Sequence, residues 1–191
     1  MGSIPASYIA SRWIAGIDLR QKGSNNLGAT NVYRVLGWRY AVPVGLFDVA
    51  KGMAPVLAAQ ARLPEAWMPV SLGVLAVVGH VFSVFMGFKG GKGVATAAGV
   101  VLALAPTALA VSVGVWVLAL TVSGYVSLAS MLSAVTFPGW VMLFDGDVYT
   151  FWVGIAMAAL IVFTHRVNLR RLVNGTENRF GRRGRRATWR A

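Results

Sequence analysis

The chain has 191 residues, of which 57% are hydrophobic and only 13% charged, about half the charged share of an ordinary soluble domain. With a mean hydropathy of +0.64, one soluble core of this length cannot hide the apolar surface, whereas a bilayer can. The absence of cysteine excludes disulfides, thiol nucleophiles and Cys-based metal sites, and only two histidines, His80 and His165, argue against a multi-His metal centre. The net charge of +12 is not that of a nucleic-acid binder. Nine of the eighteen basic residues follow His165, and most of the others fall in two short loops, the pattern by which a membrane protein arranges its cytoplasmic charge.

Apolar runs predict spans over residues 1–16, 40–60, 66–86, 94–105, 107–124, 128–144 and 148–164. The first is short, as if its helix were truncated. The run 94–105 is also short and meets the next at Pro106, as a shallow helix or as half of a bent pair. Between the spans lie a polar stretch from Ile17 to Arg39, a Gly-rich loop from Gly87 to Gly93, an acidic turn Asp145-Gly146-Asp147 and a basic tail. If all seven segments cross, residues 17–39, 87–93 and 165–191 share one face and carry nearly all the loop Lys and Arg. The opposite face carries Arg62, Glu65, Asp145 and Asp147. The positive-inside rule then assigns the first face to the cytoplasm. The expectation is an all-α, polytopic membrane protein of about seven helices.

Three polar constellations fall on that face. The first runs Gly23-Ser24-Asn25-Asn26-Leu27-Gly28-Ala29-Thr30-Asn31-Val32-Tyr33-Arg34. Glycines let backbone N–H groups approach an anion, small polar side chains add donors, and Arg34 offers a fork for two phosphate oxygens. A juxtamembrane loop capped by Asn and Thr would have the same composition. The second is Gly87-Phe88-Lys89-Gly90-Gly91-Lys92-Gly93 at the start of a helix, where an anion is favoured. It is not a Walker A loop, because Met86 stands at the required first glycine and Gly93 at the Mg²⁺-binding Ser or Thr. Lys89 can be a topology charge alone, but topology does not require four glycines. The third is His165-Arg166-Val167-Asn168, followed by Gly175-Thr176-Glu177. His165 and Asn168 share a helical face. Within the spans, Asp48 and Lys51 are three apart and predicted to pair, since each alone at mid-membrane would cost about 2.5–3.5 kcal/mol. His80 reads as a helix–helix contact.

At these residues the sequence resembles the bacterial acyl-phosphate:glycerol-3-phosphate acyltransferase family, PlsY. The resemblance spans nearly the whole chain: Gly2-Ser3-Ile4-Pro5, the Gly23–Arg34 block, Asp48-Val49-Ala50-Lys51-Gly52, Gly79-His80-Val81-Phe82, Gly90 to Thr96, Tyr125-Val126-Ser127-Leu128, and His165 to Asn168 with Gly175 to Glu177. It implies a seven-helix enzyme of the bacterial inner membrane, with active site and C-terminus cytoplasmic. It implies acyl transfer from acyl-phosphate to the 1-hydroxyl of sn-glycerol 3-phosphate, giving lysophosphatidic acid and phosphate without metal or coenzyme. The donor would come from the soluble enzyme PlsX. Residues 1–164 would form the transmembrane acyltransferase domain, with loops 17–39 and 87–93. Residues 165–191 would hold an active-site segment and the basic tail. By the same resemblance Ser24, Arg34, Lys92 and His165 are catalytic candidates. Gly23, Asn26, Gly28, Thr30, Asn31, Gly90, Gly91, Gly93, Asn168 and Glu177 are candidates for holding substrate or phosphate. The His-x4-Asp signature of other glycerolipid acyltransferases is absent, since Phe85 and Arg170 stand five beyond the two histidines. Asn25 stands where the family usually has glycine, and Ser83 where it often has proline.

Overall fold

A computed structural model describes residues 1–180. The basic run that follows, the end of the predicted tail, lies outside the described residues. Among the described residues nine α-helices succeed one another: α1 Ala6–Ala15, α2 Ala29–Leu36, α3 Trp38–Gln60, α4 Trp67–Val81, α5 Val94–Leu104, α6 Pro106–Ser123, α7 Val126–Phe144, α8 Val148–Thr164 and α9 Arg166–Val173. No strand occurs among the described residues, as expected for an all-α membrane protein.

Among the described residues four helical runs are each long and apolar enough to cross a bilayer: α3, Trp67–Met86, α6 and α7. The pair α8 and α9, bent by 59° at His165, makes a fifth when the two are taken as one span. The 10 residues of α1 and the 11 of α5 are shorter than a full crossing. Large apolar side chains such as Trp13, Leu75, Phe85, Leu118, Val122, Leu143 and Trp152 are exposed around the bundle. Water would not tolerate so continuous an apolar surface, whereas lipid does.

The core joins α3, α4, α5, α7 and α8 through Val56, Val77, Val100, Phe137, Val141, Met157 and Ile161. A second cluster of Leu19, Leu27, Val32, Val44 and Met86 fastens the first polar stretch to the bundle. On the opposite face the acidic turn caps two helices. Asp147 accepts the N–H groups of Tyr149 and Thr150, and Asp145 accepts that of Ala108.

Helices α3 and α5 approach at backbone distance. A Cβ at Gly52 would collide with the carbonyl of Thr96, and one at Gly99 with the carbonyl of Val49. At the far end the Gln60 amide donates to the Ala103 carbonyl at 3.3 Å, so α5 ends level with α3. At 1.5 Å per residue α5 is about 16 Å long and α3 about 35 Å. The start of α5 therefore lies well inside the bundle, and the Gly-rich loop must fold inward to reach it. It does so by turning back on α4: Gly90 N–H donates to Val81 and Gly91 N–H to His80, at 2.9 and 3.2 Å.

The α3–α5 contact predicts that Gly99→Val costs about 2 kcal/mol or more by overpacking, read as a lower melting temperature in detergent. Gly114→Val on α6, where an added Cβ meets nothing within 4 Å, shifts stability by no more than about 0.5 kcal/mol.

Candidate active site

The first loop is shaped by one buried side chain. Asn31 accepts the Ser24 N–H at 2.8 Å and donates to the carbonyls of Lys22, Asn26 and Leu19 at 3.0, 3.0 and 3.3 Å. Its amide is thus engaged by the loop backbone itself. Gly23 has φ +63°, and a Cβ there would strike the Asn31 side-chain oxygen. Asn25 also takes the left-handed conformation, at φ +59°. Asn is among the few non-glycine residues that tolerate it. Gly28 then caps α2, with Thr30 in its first turn and Arg34 exposed in its last.

The second loop ends at Gly93, φ +84°, which caps the recessed start of α5. Lys92 lies just before it and donates from Nζ to Asn168 Oδ1 on α9. Asn168 Nδ2 donates to Glu177 Oε1 at 2.7 Å, and Ser127 Oγ on α7 donates to the same oxygen at 2.9 Å. Glu177 Oε2 is buried without a hydrogen-bond partner. Lys89, by contrast, is exposed.

His165 occupies the break between α8 and α9 and is buried. Its Nδ1 lies 2.8 Å from the Ile161 carbonyl. That oxygen can only accept, so Nδ1 carries the proton and Nε2 is left as the acceptor. Burial lowers the Lys92 pKa to about 8, with Glu177 opposing and Arg34 and Arg171 adding to the shift. Thr164 Oγ1 donates to the Lys92 carbonyl at 3.1 Å and steadies that residue from below.

Residues 174–180 cross the rim. Phe180 N–H donates to the Gly124 carbonyl at 2.7 Å, its ring stacks on Tyr33 at 5.3 Å, and the Arg179 guanidinium sits 5.3 Å from the centre of the Tyr125 ring.

These elements enclose a cavity of about 330 Å³. Ser24, Asn26, Gly28, Thr30, Asn31 and Arg34 line it from the first loop and α2. Lys92 and Gly93 contribute from the second loop, and His165, Asn168 and Glu177 from the last segment. Of the candidates read from the sequence, Gly23, Gly90 and Gly91 lie behind this wall, as backbone supports. The cavity shares Val94, Ala98, Leu109, Ser130 and Ser133 with a second space of about 80 Å³ between α5, α6, α7 and α8, whose other walls include Phe137, Met157 and Ile161. A polar chamber at one end of the bundle, lined by Arg34 and Lys92 and by the carboxylates of Asp48 and Glu177, therefore continues into an apolar one. Ser127 and Thr164 were not singled out as site residues in the sequence. Ser127 lies in the Tyr125-Val126-Ser127-Leu128 segment, but its link to Glu177, 50 positions away, has no sequence signal. No group of three or more His, Cys, Asp or Glu is placed to hold a metal ion among the described residues.

Fold and site together define an integral membrane protein with a polar chamber at one end of its helix bundle. A family model described as glycerol-3-phosphate acyltransferase matches residues 1–175. The glycerol-3-phosphate acyltransferase of Chlorobaculum parvum is 42% identical over 218 residues, covering 96% of this chain and 94% of its own. That of Geotalea daltonii is 44% identical over 183 residues, covering 95% and 93%. Two crystal structures of PlsY, an integral membrane glycerol 3-phosphate acyltransferase, superpose at 38% sequence identity. The lysophosphatidic acid form has a TM-score of 0.85 and covers 94% of this chain and 90% of its own. The glycerol 3-phosphate form has a TM-score of 0.83 and covers 94% of each chain. The chain belongs to the glycerol-3-phosphate acyltransferase family typified by PlsY, and it is a multi-pass membrane acyltransferase.

The loop geometry predicts that Asn31→Leu, which strips partners from several loop backbone groups, costs about 1–3 kcal/mol and lowers the melting temperature in detergent. Ser24→Ala, which leaves the backbone N–H bond to Asn31 in place, leaves the melting temperature near that of the wild type.

Proposed function

We propose that this protein transfers an acyl chain from acyl-phosphate to the 1-hydroxyl of sn-glycerol 3-phosphate, releasing lysophosphatidic acid and inorganic phosphate. The observation that carries this reading is the continuity of the polar chamber, with Arg34 and Lys92 in its wall, with the apolar one. Both substrates bear phosphate and only the donor bears a long chain, so a donor can seat its anhydride by Lys92 and extend its chain between α5, α6, α7 and α8. The glycerol 3-phosphate and lysophosphatidic acid named for the PlsY crystal forms are the acceptor and product this chemistry requires.

The acyl-phosphate is a mixed anhydride and already activated, so direct attack by the acceptor hydroxyl suffices and a covalent intermediate on Ser24 is unnecessary. The hydroxyl oxygen bonds to the carbonyl carbon, its proton passes to the unprotonated Nε2 of His165, and the bond from carbon to the phosphate oxygen breaks. Lys92 and Arg34 hold phosphate and stabilise the negative charge that grows on the carbonyl oxygen and the leaving group. Asn168, held by Glu177, fixes the Lys92 ammonium. Ser24, Asn26 and Thr30 supply donors to substrate from the first loop, while Asn31 acts through the loop it shapes. The concentration of loop cations at this end supports its placement in the cytoplasm, where a soluble donor-producing enzyme such as PlsX would deliver its product.

The test is release of inorganic phosphate from palmitoyl-phosphate by detergent-purified protein, with and without glycerol 3-phosphate. Release should depend on the acceptor and yield lysophosphatidate. Lys92→Ala should lower kcat/KM by about 10²–10³, and His165→Ala by about 10²–10⁴. Phosphate release unaffected by either change would refute the assignment of the site.

The basic limb of the pH profile follows from Lys92, which must be a cation, so kcat/KM falls as pH rises through about 8. A profile that stays flat well above that pH would show that the Lys92 ammonium is not required.

A further inference from the structure

Three ionisable side chains beneath the glycine loops take no part in this chemistry. Asp48 and Lys51 on α3 and His80 on α4 are only 2%, 3% and 8% exposed. Lys51 Nζ lies 2.6 Å from Asp48 Oδ1 and donates to the Ile4 carbonyl at 2.9 Å, and His80 Nδ1 is 3.6 Å from the same Asp48 oxygen. Desolvated ion pairs are poor stabilisers, because well-packed apolar residues often replace them without loss. An ionisable group inside a membrane helix therefore points to a task other than holding the helices together.

The position of the cluster identifies that task. The His80 carbonyl accepts the Gly91 N–H and the next carbonyl, of Val81, accepts that of Gly90. The imidazole presses on the loop as well: a Cβ at Gly91 would collide with His80 Nε2 and also meet the Leu27 carbonyl of the first loop at 2.5 Å. Imidazole, first loop and second loop thus converge on one point. The N-terminal segment closes the same point from outside, with Ile4 on Lys51 and Ser83 Oγ donating to the Ser3 carbonyl at 2.6 Å. Asp48 and His80 also form part of the wall of the 330 Å³ cavity, at its junction with the loops.

We propose that Asp48, Lys51 and His80 are positioning residues that set the spacing of the two glycine loops, and with it the affinity for the phosphate substrate. The ion pair orients Asp48, Asp48 faces the imidazole, and the imidazole sets how closely Gly91 approaches Leu27. None of the three needs to touch a reacting atom. The inference rests on the reading of the cavity as a phosphate site.

Two variants test it, an Asp48→Leu, Lys51→Met double and a single His80→Asn, each purified in detergent. Melting temperature, calorimetric binding of glycerol 3-phosphate, and KM and kcat with palmitoyl-phosphate are measured beside the wild type. Both should melt cooperatively and bind glycerol 3-phosphate about tenfold or more weakly, with a matching rise in KM and little change in kcat, as expected when loops that hold a ligand are displaced by under an ångström. A purely structural role would lower the melting temperature without splitting KM from kcat. If the double variant does not fold, His80→Asn, which keeps the ion pair, decides alone. Unchanged affinity in a folded variant, or a lower kcat at unchanged KM, overturns the proposal while leaving the proposed function intact. Failure of the wild type to bind glycerol 3-phosphate refutes the phosphate reading and this proposal with it.

Discussion

Lys92 cannot be left unpartnered at the depth where α5 begins. That helix is only 11 residues long and ends level with α3, so its start and the lysine before it are drawn inward, where an ammonium loses most of its hydration. The structure answers with a chain of polar contacts: Lys92 to Asn168, Asn168 to Glu177, and Glu177 to Ser127. This chain ties the second loop, α9, the terminal segment and α7 together.

The same constraint explains the economy of the site. In hydrocarbon every backbone polar group must find a partner within the protein, so irregular chain at this depth has to be stitched to its neighbours. Asn31 stitches the first loop and the α4 carbonyls of His80 and Val81 stitch the second. Two irregular segments can then lie side by side around an anion, with N–H groups and small side chains in place of bulk. Activated donor chemistry needs little more: cations for phosphate, one neutral base, and an apolar continuation for the chain.

Two positions meet their backbone demands with their own side chains. Asn25 holds a left-handed turn that glycine would hold more readily. Ser83 has a φ of −59°, a value proline would also hold, and uses its hydroxyl to bind the Ser3 carbonyl.

The sequence by itself determined the membrane class, the polar loops and the residues that carry charge, because hydropathy and charge are properties of short windows. The pairing of Asp48 with Lys51 was equally legible, since it follows from a separation of three in a helix. Only the tertiary structure decided that Asn31 supports its own loop, that Glu177 reaches Ser127, and that α5 stops short and recesses Lys92. It alone brought the imidazole of His80 against Gly91 and Leu27. These outcomes depend on how far helices slide along one another and on which groups lose water together. No local pattern encodes them, because their partners lie 50 or more positions away or in loops whose paths the packed helices dictate.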